Sequence, residues 1–510
     1  MRDGSVNHPA PTAIPVELRE PAELFDARSY PDRSGLPDDW RPDRALRQLA
    51  WLVPTLVMTA VGLYRVDRPS LWADELATWG IVTLPAPDLW RLLPQSDAAL
   101  GPYYVLLRGW TSLTGTSDLA LRLPSVLAMG LAAGVVARTG TRVATPRLGL
   151  LAGLILAALP VSSRYAQEAR PYALALLGAA TATLLLVRFL EKGTAKGLTA
   201  YGLAVAATGL AHPLALTVLT AHAFVVVALR PSLLLRWTGV TLVAALPSVP
   251  TLWLALQQRE LVAWIAISDN QEPLVFLRNF FGEASAAAAV FALAVLSISG
   301  RRPSVLFSAW ALLPPVVFLV FGQLAGSLWL PRYLLFVLPA WALLAALSLA
   351  RAPGPAAACL LVLLAVAGQG EQERLRQDDG HGLDGRAVDR ILSSTVKPGD
   401  AVVYGEDDPG ARWMVRDVIA RYVPDDRRPE DVLLRQPQRT AGAQFAVLCR
   451  PVASCLGSPA RLWLVRAGTH PNALDGLGAD YAEPVRDAYV VEQSWSPTGL
   501  TVALLVRTRT

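Results

Sequence analysis

The stretch Arg68-Pro69-Ser70-Leu71-Trp72-Ala73-Asp74-Glu75 follows the first strongly apolar segment of the chain and carries two adjacent carboxylates. Each of these charges resists leaving water, so a pair of acids beside a membrane is a poor structural device. The pair is well suited to taking a proton from a hydroxyl group or to binding a cation. The alternative is that Asp74 and Glu75 are ordinary solvated acids in a loop, and the rest of the chain decides between these interpretations.

The composition of the chain is that of a membrane protein. Of its 510 residues, 53% are hydrophobic and 17% are charged, and the mean hydropathy is +0.38. Soluble domains contain roughly 25% charged residues. The formal net charge of +5 does not indicate a nucleic-acid partner. Much of the arginine excess lies beside apolar segments, where it sets the orientation of the chain in the bilayer.

The first part of the chain differs from the rest. Residues 1–44 are rich in Pro, Asp and Arg and contain few large apolar side chains. Such a segment buries too little apolar surface to offset the entropy lost on folding, so we expect a disordered tail. Arg41, Arg44 and Arg47 precede the first apolar run and favour a cytoplasmic N-terminus.

Residues 45–370 carry apolar runs of about the length that a membrane-spanning helix needs. They predict a mainly α, polytopic membrane protein with about 11 transmembrane helices. The run 198–229 is read as two spans, because the basic residues at both of its ends then share the cytoplasmic side. The predicted spans are 48–64, 119–137, 148–163, 171–190, two within 198–229, 237–256, 284–299, 304–322, 332–350 and 355–369.

An odd number of spans places residues 371–510 outside the cytoplasm. In this region the composition turns to Asp, Arg and Gly, and a small extracytoplasmic α/β domain is predicted. Short apolar runs predict strands at 400–404, 445–449, 462–466 and 501–506, with a helix over 411–422. In an oxidising compartment Cys449 and Cys455 can form a disulfide.

The polar side chains near the span ends converge on one membrane face. The first outer loop, residues 65–117, contains the acid pair, and within it the run 101–110 is too short to span and predicts an interfacial helix. The side chains that this topology places on the outer face are Asp74, Glu75, Asp97, Glu168, Arg170, His212 and Arg332. Because they come from distant parts of the sequence, we predict one site there, covered by the C-terminal domain.

The residue types at this face indicate a class of reaction. A carboxylate can deprotonate a hydroxyl nucleophile, and arginines can hold a phosphate group. Outside the cytoplasm there is no supply of nucleotide sugars, so a phosphorylated sugar donor has to arrive on a lipid. The residues therefore favour transfer from a lipid-phosphate carrier to an acceptor hydroxyl, without fixing the sugar.

Five motifs, in order, resemble those of the C-superfamily (GT-C) glycosyltransferases of the family-39-like type, which includes protein-O-mannosyltransferases and aminoarabinose transferases. The resemblance covers roughly residues 45–370. The motifs are Ser70-Leu71-Trp72-Ala73-Asp74-Glu75, Asp97 with Pro102-Tyr103-Tyr104, Leu121-Arg122-Leu123-Pro124-Ser125, Gln167-Glu168-Ala169-Arg170-Pro171-Tyr172, and Pro331-Arg332-Tyr333 with Pro339. One departure is the run Ala98-Ala99-Leu100-Gly101-Pro102, where the family often has His-Pro-Pro.

The resemblance implies a role for each matching residue. Asp74 is the implied general base, and Glu75 is its implied catalytic partner in orienting the acceptor or a cation. Arg332 is implied to neutralise the leaving lipid phosphate, and such enzymes invert the anomeric centre. The substrate-binding residues that the resemblance implies are Asp97, Tyr103, Glu168, Arg170, Arg332 and Tyr333. No organic cofactor is expected, and a divalent cation, Mg²⁺ or Mn²⁺, is left open.

These observations predict a multi-pass enzyme of the plasma membrane. It would use a polyprenyl-phosphate-linked hexose or pentose, mannose-like or other, and an acceptor in cell-envelope glycan, lipid or protein. The first alternative is a flippase or transporter of lipid-linked intermediates, which would keep essential residues at mid-membrane depth. The second is a membrane scaffold with an external binding domain, which would tolerate replacement of Asp74 by Asn.

Overall fold

The computed structural model describes residues 44–299, 302–325, 328–405 and 413–508. The tail predicted over residues 1–44 lies outside these ranges except for its last residue. The described chain is mainly α-helical. Its α-helices are α1 (Arg44–Leu63), α2 (Ala73–Val82), α3 (Ala86–Leu92), α4 (Gly101–Thr114), α5 (Asp118–Val143), α6 (Pro146–Ala158), α7 (Pro160–Ala166), α8 (Tyr172–Lys192), α9 (Ala195–Ala211), α10 (Val218–Leu229), α11 (Leu234–Ala245), α12 (Val249–Gln257), α13 (Pro273–Phe281), α14 (Ala284–Ser297), α15 (Arg302–Ala325), α16 (Leu338–Leu349), α17 (Gly354–Ala367), α18 (Gln369–Arg374), α19 (Gly385–Thr395), α20 (Met414–Tyr422), α21 (Val452–Cys455) and α22 (Ala479–Ala488).

Short 3₁₀ helices connect many of these elements. They cover Ala98–Leu100, Pro213–Thr217, Pro231–Leu233, Leu246–Ser248, Arg259–Ile267, Asp269–Gln271, Pro331–Val337, Asp425–Arg427 and Thr440–Gly442. The run 198–229 contains two helices, since α9 ends before Pro213 and α10 follows the 3₁₀ turn, while its two membrane spans stay a prediction. Pro213 has no N–H group with which to continue the α9 hydrogen-bond ladder.

The helical bundle has the character of a multi-pass membrane protein. Five segments are long and apolar enough to cross a bilayer, and two bent helix pairs raise this number to seven in the described chain. The five segments are Asp118–Val143, Tyr172–Lys192, Pro231–Gln257, Pro303–Gly322 and Pro331–Leu349, and shorter apolar helices cover Gln48–Leu63, Pro213–Leu229 and Gly354–Ala367. Each predicted span overlaps a helix, but the number 11 stays a prediction.

The first bent pair interrupts the predicted span 148–163, whereas in the second pair the predicted span 284–299 matches α14 and the preceding helix α13 was not predicted. The axis turns by 69° between α6 and α7, and by 90° between α13 and α14. Gly282 lies at the second bend with φ of +87°, and a Cβ atom there would come within 2.4 Å of the Val161 backbone nitrogen. This position needs glycine for both its backbone conformation and its space.

The C-terminal region forms a mixed sheet with helices on both faces. The strands are β1 (Ala401–Tyr404), β2 (Glu430–Asp431), β3 (Leu434–Gln436), β4 (Val447–Leu448), β5 (Arg461–Ala467), β6 (Tyr489–Trp495) and β7 (Leu500–Arg507). Five of them form a sheet in the order β2-β1-β5-β7-β6, in which β1 is parallel to β2 and β5, and β7 is antiparallel to β5 and β6. The runs predicted as strands all contain one, and Cys449 and Cys455 form a disulfide.

Alternate residues of this sheet belong to different apolar cores. Leu464 in β5 packs on the side of α22, whereas Trp463 packs with α19 and α20. The core that contains Trp463 also includes Leu71 and Leu76 of the first outer loop, so the loop and the sheet share one interior. A separate core fills the helical bundle.

Candidate functional site

The first turn of α2 directs the two adjacent acids to different surroundings. Trp72 precedes the helix with extended backbone, and Asp74 and Glu75 occupy its first turn, where the helix dipole favours negative charge. Successive helical residues point about 100° apart. As a result Asp74 lines a cavity, whereas the side chain of Glu75 has no exposed surface.

Glu75 is held by a buried arginine. Arg122 Nε and Nη2 donate to the two oxygens of Glu75 at 2.8 and 2.7 Å. The remaining N–H groups of Arg122 donate to the carbonyl oxygens of Val66 and Pro69 at 2.7 and 2.9 Å, and of Ser70 at 3.3 Å. All five donors of the guanidinium are thus used. The ion pair joins α5 to the segment that leads into α2.

Two further groups approach Glu75. The Ala169 backbone N–H donates to its Oε1 at 2.9 Å, and His381 Nδ1 lies 3.6 Å from its Oε2. Burial alone raises the pKa of Glu75, but Arg122 and then His381 outweigh it, so the pKa lies well below its ordinary value. Glu75 is therefore ionised and buried. Its contacts fix the first turn of α2, which also carries Asp74.

Asp74 faces two arginines in the cavity. Its Oδ2 lies 3.8 Å from Arg170 Nη2 and 3.7 Å from Arg332 Nη2, and it has no hydrogen-bond partner among the described residues. Arg332 contacts aromatic faces, with its guanidinium carbon 5.7 Å from the centre of the Trp72 ring and 5.6 Å from that of Trp264. Its Nε likewise lacks a hydrogen-bond partner in the described chain. A carboxylate oxygen and an arginine are thus both available to a ligand.

Asp97 reaches the same place from the other side of the outer loop. Its backbone is left-handed, with φ of 58°, a conformation that Asp tolerates better than most residues. Its carboxylate accepts a short hydrogen bond from the Tyr104 hydroxyl and lies 3.5 Å from Arg170 Nη1. Arg170 Nη1 in turn donates to that hydroxyl at 2.9 Å. Arg170 therefore lies between the carboxylates of Asp74 and Asp97.

These side chains open into a cavity of about 1090 Å³. Five of the eight predicted site residues line it, namely Asp74, Asp97, Arg170, Arg332 and Tyr333. His212 also lines it, with its ring centre 5.7 Å from that of Tyr172 and 5.4 Å from that of Tyr333. One end of the cavity is apolar, lined by Leu214, Leu216, Leu252, Leu256, Val317, Phe318 and Phe321.

Glu75, Tyr103 and Glu168 lie behind the cavity wall. Tyr103 is buried against Tyr104, with their ring centres 6.0 Å apart. Glu168 Oε2 accepts a hydrogen bond from Arg164 at 3.0 Å, and the Arg164 guanidinium lies over Trp72. These three residues support the wall, and none of them lines the cavity.

Glu168 gives a testable pH dependence. Burial raises the pKa of Glu168 to about 7, although Arg164 opposes the shift. In the pH range from the ordinary value, 4.5, to about 7 the folded state holds a proton that the unfolded state has lost, so stability falls as pH rises through this range and is flat above it. We expect Glu168→Gln to weaken this decline, as measured by thermal unfolding between pH 4.5 and 8. An identical pH profile in the variant would contradict the assignment.

The chain is similar to one protein family and to solved structures of one membrane protein. A family model described as dolichyl-phosphate-mannose-protein mannosyltransferase matches residues 99–254. The structure of ArnT from Cupriavidus metallidurans bound to undecaprenyl phosphate aligns with a TM-score of 0.57 and 14% identity, over 89% of this chain and 98% of that chain. The apo structure of the same protein aligns with a TM-score of 0.58 and 15% identity, over 90% and 98%. No sequence match was found among the curated proteins.

The chain shares the fold of ArnT over about nine-tenths of its length. The resemblance drawn from the sequence motifs is therefore confirmed, as is the broader prediction of a multi-pass membrane protein. The boundaries 45–370 and 371–510 and the roles of single residues stay predictions.

Several residues at the site were missed in the sequence analysis. Arg122 was quoted only as part of a motif, and an arginine at a span start gave no signal that it would be fully buried. His381 and Trp413 come from the C-terminal region, which carries none of the five motifs. Arg439 lines the cavity beside Trp413. Only the fold brings these side chains to the outer loop.

The side chains of the site do not fit a divalent cation. Asp74 and Asp97 share Arg170, whose guanidinium lies 3.8 and 3.5 Å from their Oδ2 atoms. Among the described residues no group of three or more His, Cys, Asp and Glu side chains could hold a metal ion. Because an arginine already occupies the position between the two carboxylates, we derive no step through a cation.

Proposed function

We propose that this chain transfers a sugar from a polyprenyl-phosphate donor to a hydroxyl group of an extracytoplasmic acceptor, with inversion at the anomeric carbon. The observation that carries the proposal is the position of Asp74 in the cavity wall, where its Oδ2 lies within 4 Å of Arg170 and Arg332 and makes no hydrogen bond among the described residues. A base and a pair of cations within one cavity are the parts that this reaction needs. ArnT, which shares the fold, binds undecaprenyl phosphate.

In the proposed reaction Asp74 takes the proton of the acceptor hydroxyl. The acceptor oxygen then forms a bond to the anomeric carbon, while the bond from that carbon to the phosphate oxygen breaks. The electron pair leaves on the polyprenyl phosphate, whose charge Arg332 and Arg170 neutralise. One base and no covalent intermediate give inversion. The apolar end of the cavity suits the first isoprene units of the donor.

The alternative of a flippase would require ionisable residues that are free to act at mid-membrane depth. His222 is an ionisable residue inside α10, but both of its ring nitrogens are engaged. They lie 3.0 Å from the hydroxyl oxygens of Thr183 and Tyr201, and His222 does not line the cavity. This network packs helices together and gives no path for a charged group.

The proposed function is tested with purified protein and a panel of labelled polyprenyl-phosphate hexoses and pentoses. Wild-type protein should release polyprenyl phosphate from at least one donor when an envelope extract supplies acceptors. If no donor in the panel is consumed, while the same preparation gives a cooperative unfolding transition, the proposed function is overturned.

The proposed orientation gives a second prediction. With the N-terminus in the cytoplasm and 11 spans, the C-terminal region lies outside, in agreement with the Cys449–Cys455 disulfide. A phosphatase reporter fused after Thr510 should be active, because the phosphatase matures only in an oxidising compartment outside the cytoplasm. A fluorescent reporter that matures only in the cytoplasm is the matched control, and its signal at the same position would contradict the orientation.

A further inference from the structure

The cavity has a second polar end, formed by the C-terminal region at the far end of α2. We propose that this end is a subsite for a neutral carbohydrate chain, so that the acceptor is a glycan. The inference rests on the proposed function and names the acceptor class of the same site. The residues that form it are Trp413, Arg439 and Gln444, which line the cavity together with residues of the outer loop.

Trp413 provides an aromatic surface with an unused donor. Its indole lies in the cavity wall and is supported by Phe445, with ring centres 6.1 Å apart. The buried Nε1 has no hydrogen-bond partner in the described chain. A buried indole N–H normally finds a partner. A sugar ring stacked on this indole presents C–H groups to the ring and hydroxyl oxygens near its edge.

The charges at this end are already balanced. Arg439 Nη1 and Nη2 donate to the two oxygens of Asp417 at 2.9 and 2.6 Å, and both side chains are about 5% exposed. Gln438 Nε2 donates to the same carboxylate, and its buried Oε1 has no partner among the described residues. The Gln444 amide and the neutralised Arg439, which both line the cavity, suit hydroxyl groups, in contrast to Arg332, whose Nε makes no hydrogen bond among the described residues.

The distance along α2 between Asp74 and the residue that contacts Arg439 is similar to the length of a short glycan. Arg439 packs on Gly80, where a Cβ atom would lie 2.2 Å from its Nη1. Asp74 and Gly80 are six residues apart, which corresponds to about 9 Å along a helix. This distance is comparable to the length of a disaccharide. A glycan with its terminal hydroxyl at Asp74 would therefore reach the part of the wall near Arg439 and Trp413, which line the same cavity.

Other acceptor classes fit this wall less well. An extended peptide needs backbone partners such as a free strand edge. The residues that the C-terminal region contributes to the cavity come from segments outside β1–β7. An anionic lipid headgroup needs unpaired cations, whereas Arg439 is bound by Asp417. The wall therefore favours an uncharged glycan.

The test measures binding without any donor. Full-length protein in lipid nanodiscs is titrated with reduced manno-, gluco-, galacto- and arabino-oligosaccharides, and binding is followed by saturation-transfer NMR and calorimetry. We expect wild type to bind at least one series, Trp413→Ala to weaken that binding about tenfold, and Trp413→Phe to weaken it less, because aromatic contact remains. Trp90→Ala is the matched control, since Trp90 is 59% exposed on α3 and should leave binding unchanged.

Gly80→Ala tests the same wall from the other side. The added methyl group displaces the Arg439 guanidinium and should weaken the same binding, while alanine raises the helix propensity of α2. Unfolding transitions close to wild type show that the variants are folded.

Two results would overturn the proposed subsite. The first is that wild-type protein binds none of the four oligosaccharide series. The second is that Trp413→Ala binds them as strongly as wild type. Binding of a Ser/Thr peptide panel that depends on Trp413, with no oligosaccharide binding, would assign a peptide acceptor instead. Consumption of the donor is measured in a separate assay. If the protein binds oligosaccharides but consumes no donor, the proposed function is overturned and the glycan subsite is retained.

Discussion

Asp74→Asn lowers sugar transfer from the polyprenyl-phosphate donor by about 10²–10⁴-fold, the range for loss of a general base. The amide has nearly the shape of the carboxylate but cannot take the acceptor proton. Its side chain lines the cavity and its Oδ2 makes no hydrogen bond among the described residues, so the substitution removes only the longer ion pairs with Arg170 and Arg332, at 3.8 and 3.7 Å. We therefore expect the unfolding temperature to stay close to that of wild type. The measurement is the initial rate of polyprenyl-phosphate release under saturating donor.

The matched control for this experiment is Asp67→Asn. It makes the same chemical change in the same outer loop, at an exposed side chain that does not line the cavity, and it should retain full activity. Full activity in Asp74→Asn would remove Asp74 as the base and leave the proposed fold unaffected. A rate loss accompanied by a large fall in unfolding temperature would indicate a structural role for Asp74 instead.

Glu75→Gln has its largest effect on folding. Removing one charge leaves Arg122 buried without its partner, and such changes cost about 3–5 kcal/mol. The side chains of both residues are fully buried, and Arg122 also binds three backbone carbonyl oxygens before α2. We expect a much lower yield of folded protein and a lower unfolding temperature. Remaining transfer activity per folded molecule should fall less than in Asp74→Asn.

The control for Glu75→Gln is Glu371→Gln, which also breaks a glutamate–arginine pair. Arg374, its partner, is 54% exposed, so the pair is worth about 0–1 kcal/mol and the variant should unfold as wild type does. If Glu75→Gln unfolds normally and loses transfer activity, Glu75 acts in the reaction, as the family resemblance implies. Normal unfolding with normal activity would leave Glu75 without either role.

Sequence reasoning found the polar groups of the site but could not assign the two acids. Asp74 and Glu75 are adjacent and equally polar, and their different roles follow from the rotation between successive residues of α2. The partner of Glu75, Arg122, is 47 residues away. By contrast, Asp74, Arg170 and Arg332 could be grouped because membrane topology places span ends on one face, which the alternation of apolar runs and basic loops reveals.

The sequence predicted those strands of the fold that are buried, because a buried strand appears in the sequence as a run of apolar residues. Strands β1, β5 and β7 are buried, and each was predicted. Strand β6 was missed because it lies at the sheet edge with most of its residues exposed, including Val490 and Val491. Helix α13, which precedes the predicted span 284–299, was also missed, and Gly282 between α13 and α14 packs against the backbone of the distant residue Val161.

The outer loop and the C-terminal sheet share one apolar core, so the loop cannot complete its packing until the C-terminal region has been synthesised. Arg68 Nε donates to Asp378 across a separation of 310 residues, and Leu71 and Leu76 belong to the same core as Trp463. At about 5–20 residues per second, roughly 15–60 s pass between emergence of the loop and emergence of its partner. During that interval the loop carries uncovered leucine side chains at the membrane surface. A nascent chain of this protein therefore has a period in which holdase chaperones or the bilayer interface must cover a segment that the finished molecule covers itself.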